Sequence, residues 1–234
     1  MRSKVGMSEE DLRESLAEYA HAIYKARLAT GPGGTLSARL PNSSLIYVKP
    51  SGYNLGELSP GDFVGVDLNT LQVVKGDLKP SMEVSVLAKC HLARDDVNAV
   101  VHAHPPFCIA LSSVDLEINM PLYPDHVVFL EEVATLPFYI PGSEELAKAV
   151  GEAARTHNCM LLKNHGAITL GSSLREAYYR LEIMEESAKI IVFSSLLASR
   201  NRLSKRPTSL SAEQANAIKK LQMEAYRKQL AKNW

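Results

Sequence analysis

The 234 residues suffice for one well-buried core, and the expected organisation is a single domain over residues 1–234 with a helical extension at about 207–234. Lys plus Arg and Asp plus Glu both number 26 and the isoelectric point is near 7.1, so no global field draws the chain to nucleic acid or an anionic membrane. Cys90, Cys108 and Cys159 lie in apolar segments without C-x-x-C spacing, and the first residues lack an apolar signal-type region, which together predict a soluble, cytoplasmic protein rather than a disulfide framework.

Met7 reads as an alternative start, since the residues before it fit no element. Ser8-Glu9-Glu10-Asp11 resembles a capping box, and Leu12, Leu16, Tyr19, Ala20, Ile23 and Tyr24 follow at helical spacing, which predicts an amphipathic helix to about residue 28. The stretch 30–39 reads as a glycine loop before a strand, either an anion cradle built of backbone N–H groups or a plain tight turn. Residues 45–49 predict a strand ending in Pro50-Ser51-Gly52, and 63–68 and 71–74 an antiparallel hairpin around Asn69-Thr70. Lys79-Pro80-Ser81 opens a second helix, with Ser81 as its cap, Glu83 in its first turn and Val84, Leu87, Ala88, His91 and Leu92 as its buried stripe. An acidic residue there ordinarily complements the helix dipole, and His91 reads as core.

Residues 98–106, NAVVHAHPP, predict a buried strand with a hard end, on which alternation puts His102 and His104 on one face with Val100. Two imidazoles so placed suit capture of a borderline metal, and hydrogen-bonded core histidines are the alternative. Residues 107–112 continue apolar, 117–121 predict a short strand, 123–126 a polar corner, and 127–130 and 135–140 further strands. Ser143 starts a third helix to about residue 156, with His157 expected in solvent near its end. A buried strand at 159–163 breaks at Asn164-His165-Gly166 before 167–170, making His165 the candidate third ligand. Ser173 caps a long helix with Tyr178, Leu181, Met184, Ala188, Ile191 and Val192 inward and Glu182, Glu185 and Glu186 expected on a solvated face. Residues 200–209 read as a basic linker, and 211–230 as a last helix that packs on a neighbouring subunit or frays.

Gly-Gly-Thr-Leu-Ser-Ala-Arg, Lys-Pro-Ser-Gly, Pro-Ser-Met-Glu, His-Ala-His-Pro-Pro and Asn-His-Gly occur in an order that resembles the class II aldolase/adducin family over residues 8–200. The resemblance implies an α/β fold, three-layer α/β/α with a central, mostly antiparallel sheet, in a homotetramer with sites at subunit interfaces. It implies that His102, His104 and His165 bind a divalent metal, usually zinc, with manganese or cobalt as substitutes. Glu83 then corresponds to the acid/base, which in some members also ligates the substrate-free metal. Gly34, Thr35, Ser51, Gly52 and Ser81 correspond to a phosphate cradle. Two positions depart from that pattern: Thr35 stands where phosphate-binding relatives usually have Asn, and Met82 where they have a second Ser.

Family aldolases also borrow a tyrosine from a neighbouring subunit as proton donor, and of Tyr123, Asp125 and His126 in the aligned segment His126 is the candidate. Three neutral imidazoles leave a metal its full double charge and an open position for substrate oxygens. The implied activity is a metal-dependent lyase of the fuculose-phosphate aldolase type, making or breaking a C–C bond in a short sugar phosphate through a stabilised enediolate. Decarboxylation of a 3-keto sugar acid or ribulose-phosphate 4-epimerisation would use the same intermediate. A non-catalytic adducin-like module and a two-histidine, one-carboxylate iron site are the further alternatives.

Overall fold

The protein was analysed as a computed structural model, which describes residues 7–200 and 207–233. The residues before Met7 and most of the expected basic linker lie outside that range. Short runs of β-branched and small residues form the strands β1 (Thr35–Arg39), β2 (Leu45–Val48), β3 (Val64–Asp67), β4 (Val73–Lys75), β5 (Ala99–Ala103), β6 (Val133–Leu136), β7 (Cys159–Leu162) and β8 (Gly166–Gly171). They make one sheet in the order β4-β3-β2-β1-β5-β8-β7-β6, antiparallel at every step but β6 to β7, which are parallel.

Alternate side chains leave the sheet on opposite faces. Leu36, Ala38, Val101, Ala103 and Leu161 meet helices α1 (Glu9–Lys25), α3 (Pro106–Ser113) and α5 (Leu174–Arg200). Ile46, Val48, Val66, Val100 and Ile168 meet α2 (Val84–Ala93) and α4 (Glu144–Ala153). The fold is therefore α/β, with helices on both faces of a mostly antiparallel sheet, as expected. Strands β1, β5, β7 and β8 are buried along their whole length; β5, β7 and β8 are correspondingly mostly apolar, whereas β1 buries Thr35, Ser37 and Arg39 in alternation with Leu36 and Ala38.

Local chemistry explains where the elements begin and end. Ser8 Oγ accepts from the Asp11 N–H at 3.1 Å and the Asp11 carboxylate accepts from the Ser8 N–H at 2.8 Å, the capping box that starts α1. The helix stops at Lys25, short of residue 28, because Arg27 turns to φ 58° and the Leu28 N–H reaches back to the Ile23 carbonyl at 3.1 Å. Thr35 to Arg39 belong to a strand rather than to the glycine loop, paired to β5 with Thr35 opposite His102. Asp67 accepts from the Asn69 and Thr70 N–H groups, which turns the expected hairpin.

Five expectations are corrected. Pro105 and Pro106 end the strand and also start a helix, α3, because a proline at the first helical position loses no hydrogen bond. No strand forms at 117–121; the Asn119 side chain instead pairs with both the N–H and the carbonyl of Val133, each at 2.9 Å. Residues His126–Leu130 form a π-helical turn, buried throughout, because an apolar run enclosed on all sides carries no period. The strand expected at 135–140 lies at β6, leaving Phe138 and Ile140 exposed, and Leu92, expected on the buried stripe of α2, is exposed as well. The last helix is two, α6 (Ala212–Lys219) and α7 (Gln222–Ala231), divided at Leu221, whose ψ of 126° is extended. They pack on their own chain: Ser173 Oγ donates to the Ala231 carbonyl at 2.7 Å, and Arg227 and Lys228 pair with Asp125 and Glu131. Among the described residues no helix is long and apolar enough to cross a membrane.

His91 is core, as expected. Its Nδ1–H donates to the Val97 carbonyl at 3.1 Å and its Nε2 accepts from Ser37 Oγ at 2.9 Å, while burial pushes its pKa down to about 3 from the ordinary 6.5. Between those values the unfolded chain binds a proton that the folded chain refuses, so stability is full above the higher value and falls as the pH drops toward the lower, by about 1.4 kcal/mol per pH unit. In urea unfolding between pH 6 and 4, His91→Gln is expected to show a pH slope shallower than wild type by close to one proton; equal slopes would refute the assignment.

Candidate metal centre

The centre of the sheet ends at one edge in three histidines, each positioned by a different device. His102, in β5, shares the α2 side of the sheet with Val100 and Thr35. Its Nδ1–H donates to the Ala167 carbonyl at 2.9 Å, which fixes the tautomer and leaves an Nε2 lone pair free. His104 lies just past the strand, its N–H donating to the Leu28 carbonyl at 2.9 Å. A Cβ on Gly33 would stand 2.9 Å from His104 Nδ1, and one on Gly166 would stand 3.0 Å from its Cδ2 and 2.2 Å from the Ala103 carbonyl oxygen, so the ring fits a slot only glycines leave open. His165 sits between β7 and β8, after Asn164 at φ 55° and with its N–H on the Leu162 carbonyl at 3.1 Å.

The three rings have centroids 4.9 to 5.4 Å apart, and one nitrogen from each lies within 4.8 Å of the others. His102 Nε2, His104 Nε2 and His165 Nδ1 are buried without a hydrogen-bond partner. Satisfied core histidines would not leave an orphaned nitrogen on each of three neighbouring rings, whereas a cation could be held by one nitrogen of each ring. Burial pushes all three pKa values down to about 4, with His102 adding repulsion at the other two, so the imidazoles are in the neutral, ligating form at pH 7.

Glu83 enters from the α2 layer. It stands at the N-cap of α2 rather than in the first turn, and Ser81 Oγ accepts from its N–H at 3.3 Å instead of capping the helix further along. Its Oε2 lies 3.2 Å from His102 Nε2, out of line for a hydrogen bond, and its Oε1 lies 3.6 Å from His165 Nε2. Burial pushes its carboxyl above the usual carboxylate range, opposed by His165, His104 and Lys49. Three imidazoles and one carboxylate meet here, not the two and one of a non-haem iron site.

A cleft of about 500 Å³ opens onto these groups. Gly34, Ser51, Gly52 and Ser81 line it with Glu83, His104 and His165. Thr35 does not: it is fully buried behind the loop, and its hydroxyl has no partner. His126 is also elsewhere, bordering a separate cavity of about 260 Å³ with its Nδ1 on Ser187 Oγ at 3.1 Å. Burial pushes its pKa down to about 4, so it is neutral at pH 7 within this chain. The larger groove of about 620 Å³, beside α1, α3 and α5, contains none of the three imidazoles.

Lys49 reads in the sequence only as a strand end and part of the Lys-Pro-Ser-Gly motif, with no role in the site. It is buried, lines the cleft, donates from Nζ to the Pro32 carbonyl at 2.9 Å, and burial pushes its pKa down to about 8 against the pull of Glu83. A lysine closing an apolar strand directly before Pro-Ser-Gly was the available signal. Met82 and Phe138 give the cleft an apolar rim.

The family described as class II aldolase and adducin N-terminal domain matches residues 14–192. The chain belongs to this family. Members of the class II aldolase family generally use a divalent metal, and the histidine cluster can hold one. The chain is 34% identical over 180 residues to an L-fuculose phosphate aldolase of Methanococcus maripaludis, covering 77% of this chain and 95% of that one. It is 34% identical over 187 residues to a 3-oxo-tetronate 4-phosphate decarboxylase of Escherichia coli K12, covering 78% and 87%. The solved structure of YgbL from Klebsiella pneumoniae is similar with a TM-score of 0.81 at 32% identity, over 91% of this chain and all of that one.

Zinc added to chelator-treated protein is expected to bind at one equivalent and to raise the melting temperature, with about 2.7 kcal/mol of stabilisation at a hundredfold excess over Kd. His165→Ala should melt identically with and without zinc. A variant that still responds like wild type would exclude His165 from the site.

Proposed function

We propose that this protein is a metal-dependent lyase that makes or breaks a C–C bond beside the carbonyl of a short, anionic sugar derivative, with an aldolase as the first reading. The observation that carries it is the Glu83 carboxylate 3.2 and 3.6 Å from two imidazoles of the cluster, within one cleft. His102, His104 and His165 would hold the metal, and Glu83 could join them while no substrate is present. A divalent cation there supplies positive charge that stabilises an oxyanion on the substrate carbonyl, the kind of stabilisation that lowers barriers by several kcal/mol.

The rest of the work falls to side chains. Glu83 moves the proton on the carbon next to the carbonyl, a task suited to a buried carboxylate whose pKa desolvation raises. Lys49, Ser51, Ser81 and the backbone at Gly34 and Gly52 bind the substrate's anionic group, Lys49 as a charge and the others as hydrogen-bond donors. Thr35, buried behind the loop, supports the loop rather than touching substrate. Glu83 is the one carboxylate among the described residues lining the cleft, so the second proton comes from Lys49, from water or from a neighbouring subunit. The exposed Phe193, Leu196 and Leu197 of α5 support a homotetramer with sites at its interfaces.

The decarboxylase of a phosphorylated 3-keto acid is the second reading, favoured by the 34% identity to a protein of that name. A non-catalytic module is the weakest, since a scaffold gains nothing from orphaned imidazoles around a buried carboxylate.

Metal-loaded enzyme is to be surveyed by proton NMR against ketose 1-phosphates and 3-keto sugar acids. Release of dihydroxyacetone phosphate, lowered on the order of 10²- to 10⁴-fold in Glu83→Gln, is the expected result. Loss of carbon dioxide from the keto acids alone would overturn the aldolase reading in favour of the decarboxylase.

A further inference from the structure

The sequence pattern puts Glu185 on a solvated face with Glu182 and Glu186. Those two are exposed, but Glu185 turns inward, its Oε1 accepting from the Phe107 N–H and its Oε2 from the Cys108 N–H, both at 2.9 Å. These are the second and third residues of α3. The first N–H groups of a helix have no partner within it. Here Pro105 and Pro106 have none to offer, Pro105 provides no side-chain cap, and Phe107 and Cys108 present the first free donors. A carboxylate from another helix supplies the missing cap, with its charge complementing the helix dipole.

One step back along the chain lies His104. Its ring makes no hydrogen bond among the described residues, unlike that of His102, so its direction is set by its backbone and by the walls at Gly33 and Gly166. On the upstream side that backbone is tied by the His104 N–H to the Leu28 carbonyl. On the downstream side it passes through two residues of fixed φ into the turn that Glu185 grips. We propose that Glu185 is a positioning residue for His104: it pins the amino end of α3 and, through the stiff Pro105-Pro106 step, keeps the His104 imidazole where it meets those of His102 and His165. This rests on reading the three imidazoles as a metal site. Glu185 itself is not among the residues lining the cleft; it borders the separate groove beside α1, α3 and α5.

The test is zinc affinity, by competition with a chromophoric chelator, on the full chain as wild type, Glu185→Ala, Glu185→Gln, Glu186→Gln, His104→Ala and the double variant His104→Ala/Glu185→Ala. Supporting groups behind a metal ligand typically cost 10- to 100-fold in affinity when removed, and Glu185→Ala is expected to fall in that range. Glu185→Gln, keeping one acceptor oxygen, should lie between it and wild type, and Glu186→Gln should match wild type. Because Glu185 acts through His104, the double variant should bind zinc no more weakly than His104→Ala alone. An affinity within twofold of wild type in Glu185→Ala, even with a lowered melting temperature, would overturn the proposal; so would an undiminished loss in the His104→Ala background. If Glu185→Ala does not fold, wild-type affinity in Glu185→Gln is the overturning result. Wild type without zinc binding, or His104→Ala binding as wild type does, would instead sink the metal reading, and this proposal with it.

Discussion

A carboxylate shut away from water against three neutral imidazoles is an arrangement that folding must pay for. None of the three orphaned nitrogens gains a hydrogen bond in the folded chain, and the Glu83 carboxyl is pushed toward its neutral form by burial. Such a cluster persists only where the surrounding structure leaves it no alternative. The middle of the sheet meets that need: β5 is bonded on both sides, by β1 and β8, so neither His102 nor the chain leading to His104 can relax without breaking ladders.

The remaining architecture delivers the fourth group and the opening. The bridge between Pro50 and Pro80 holds the Ser51 corner against the approach to α2, and the Ser51 N–H on the Lys79 carbonyl and the Ser81 N–H on the Lys49 carbonyl double it. That clamp places Lys49, Ser51, Ser81 and Glu83 along one wall. On the opposite face, Arg180 of α5 donates to the Leu170 and Phe129 carbonyls and pairs with Glu176, tying the end of β8 and the π-helical turn to one helix. The same helix lends Glu185 to α3.

Much of this was legible in the residues, for particular reasons. His-x-His before a double proline announces two imidazoles on one side of a strand end because strand alternation is strict, and Asn-His-Gly announces a third at a corner because a left-handed turn at the asparagine aims the next side chain. The capping box at Ser8 and the turn at Asn69-Thr70 were readable because they rest on contacts between residues a few positions apart. The features that escaped depend on distant partners. Glu185 looks like its neighbours Glu182 and Glu186 until α3 supplies two N–H groups, and Lys49 looks like an ordinary strand end until Glu83 is across from it. Asn119 imitates a strand with a side chain, and the apolar run at 127–130 coils rather than extends because it is enclosed on every side, neither of which has a period to read.

The scattering of the cluster along the chain has a kinetic consequence. Glu83 stands at a helix end, His102 and His104 leave one strand, and His165 waits for another hairpin far downstream, so only the His102–His104 pair lies within one short segment. The long loops between them must close, and β1, β5 and β8 must register, before the nitrogens come within reach of one another. An ion in solution thus finds two neighbouring imidazoles in the open chain, and the third imidazole and the carboxylate only once the sheet has closed.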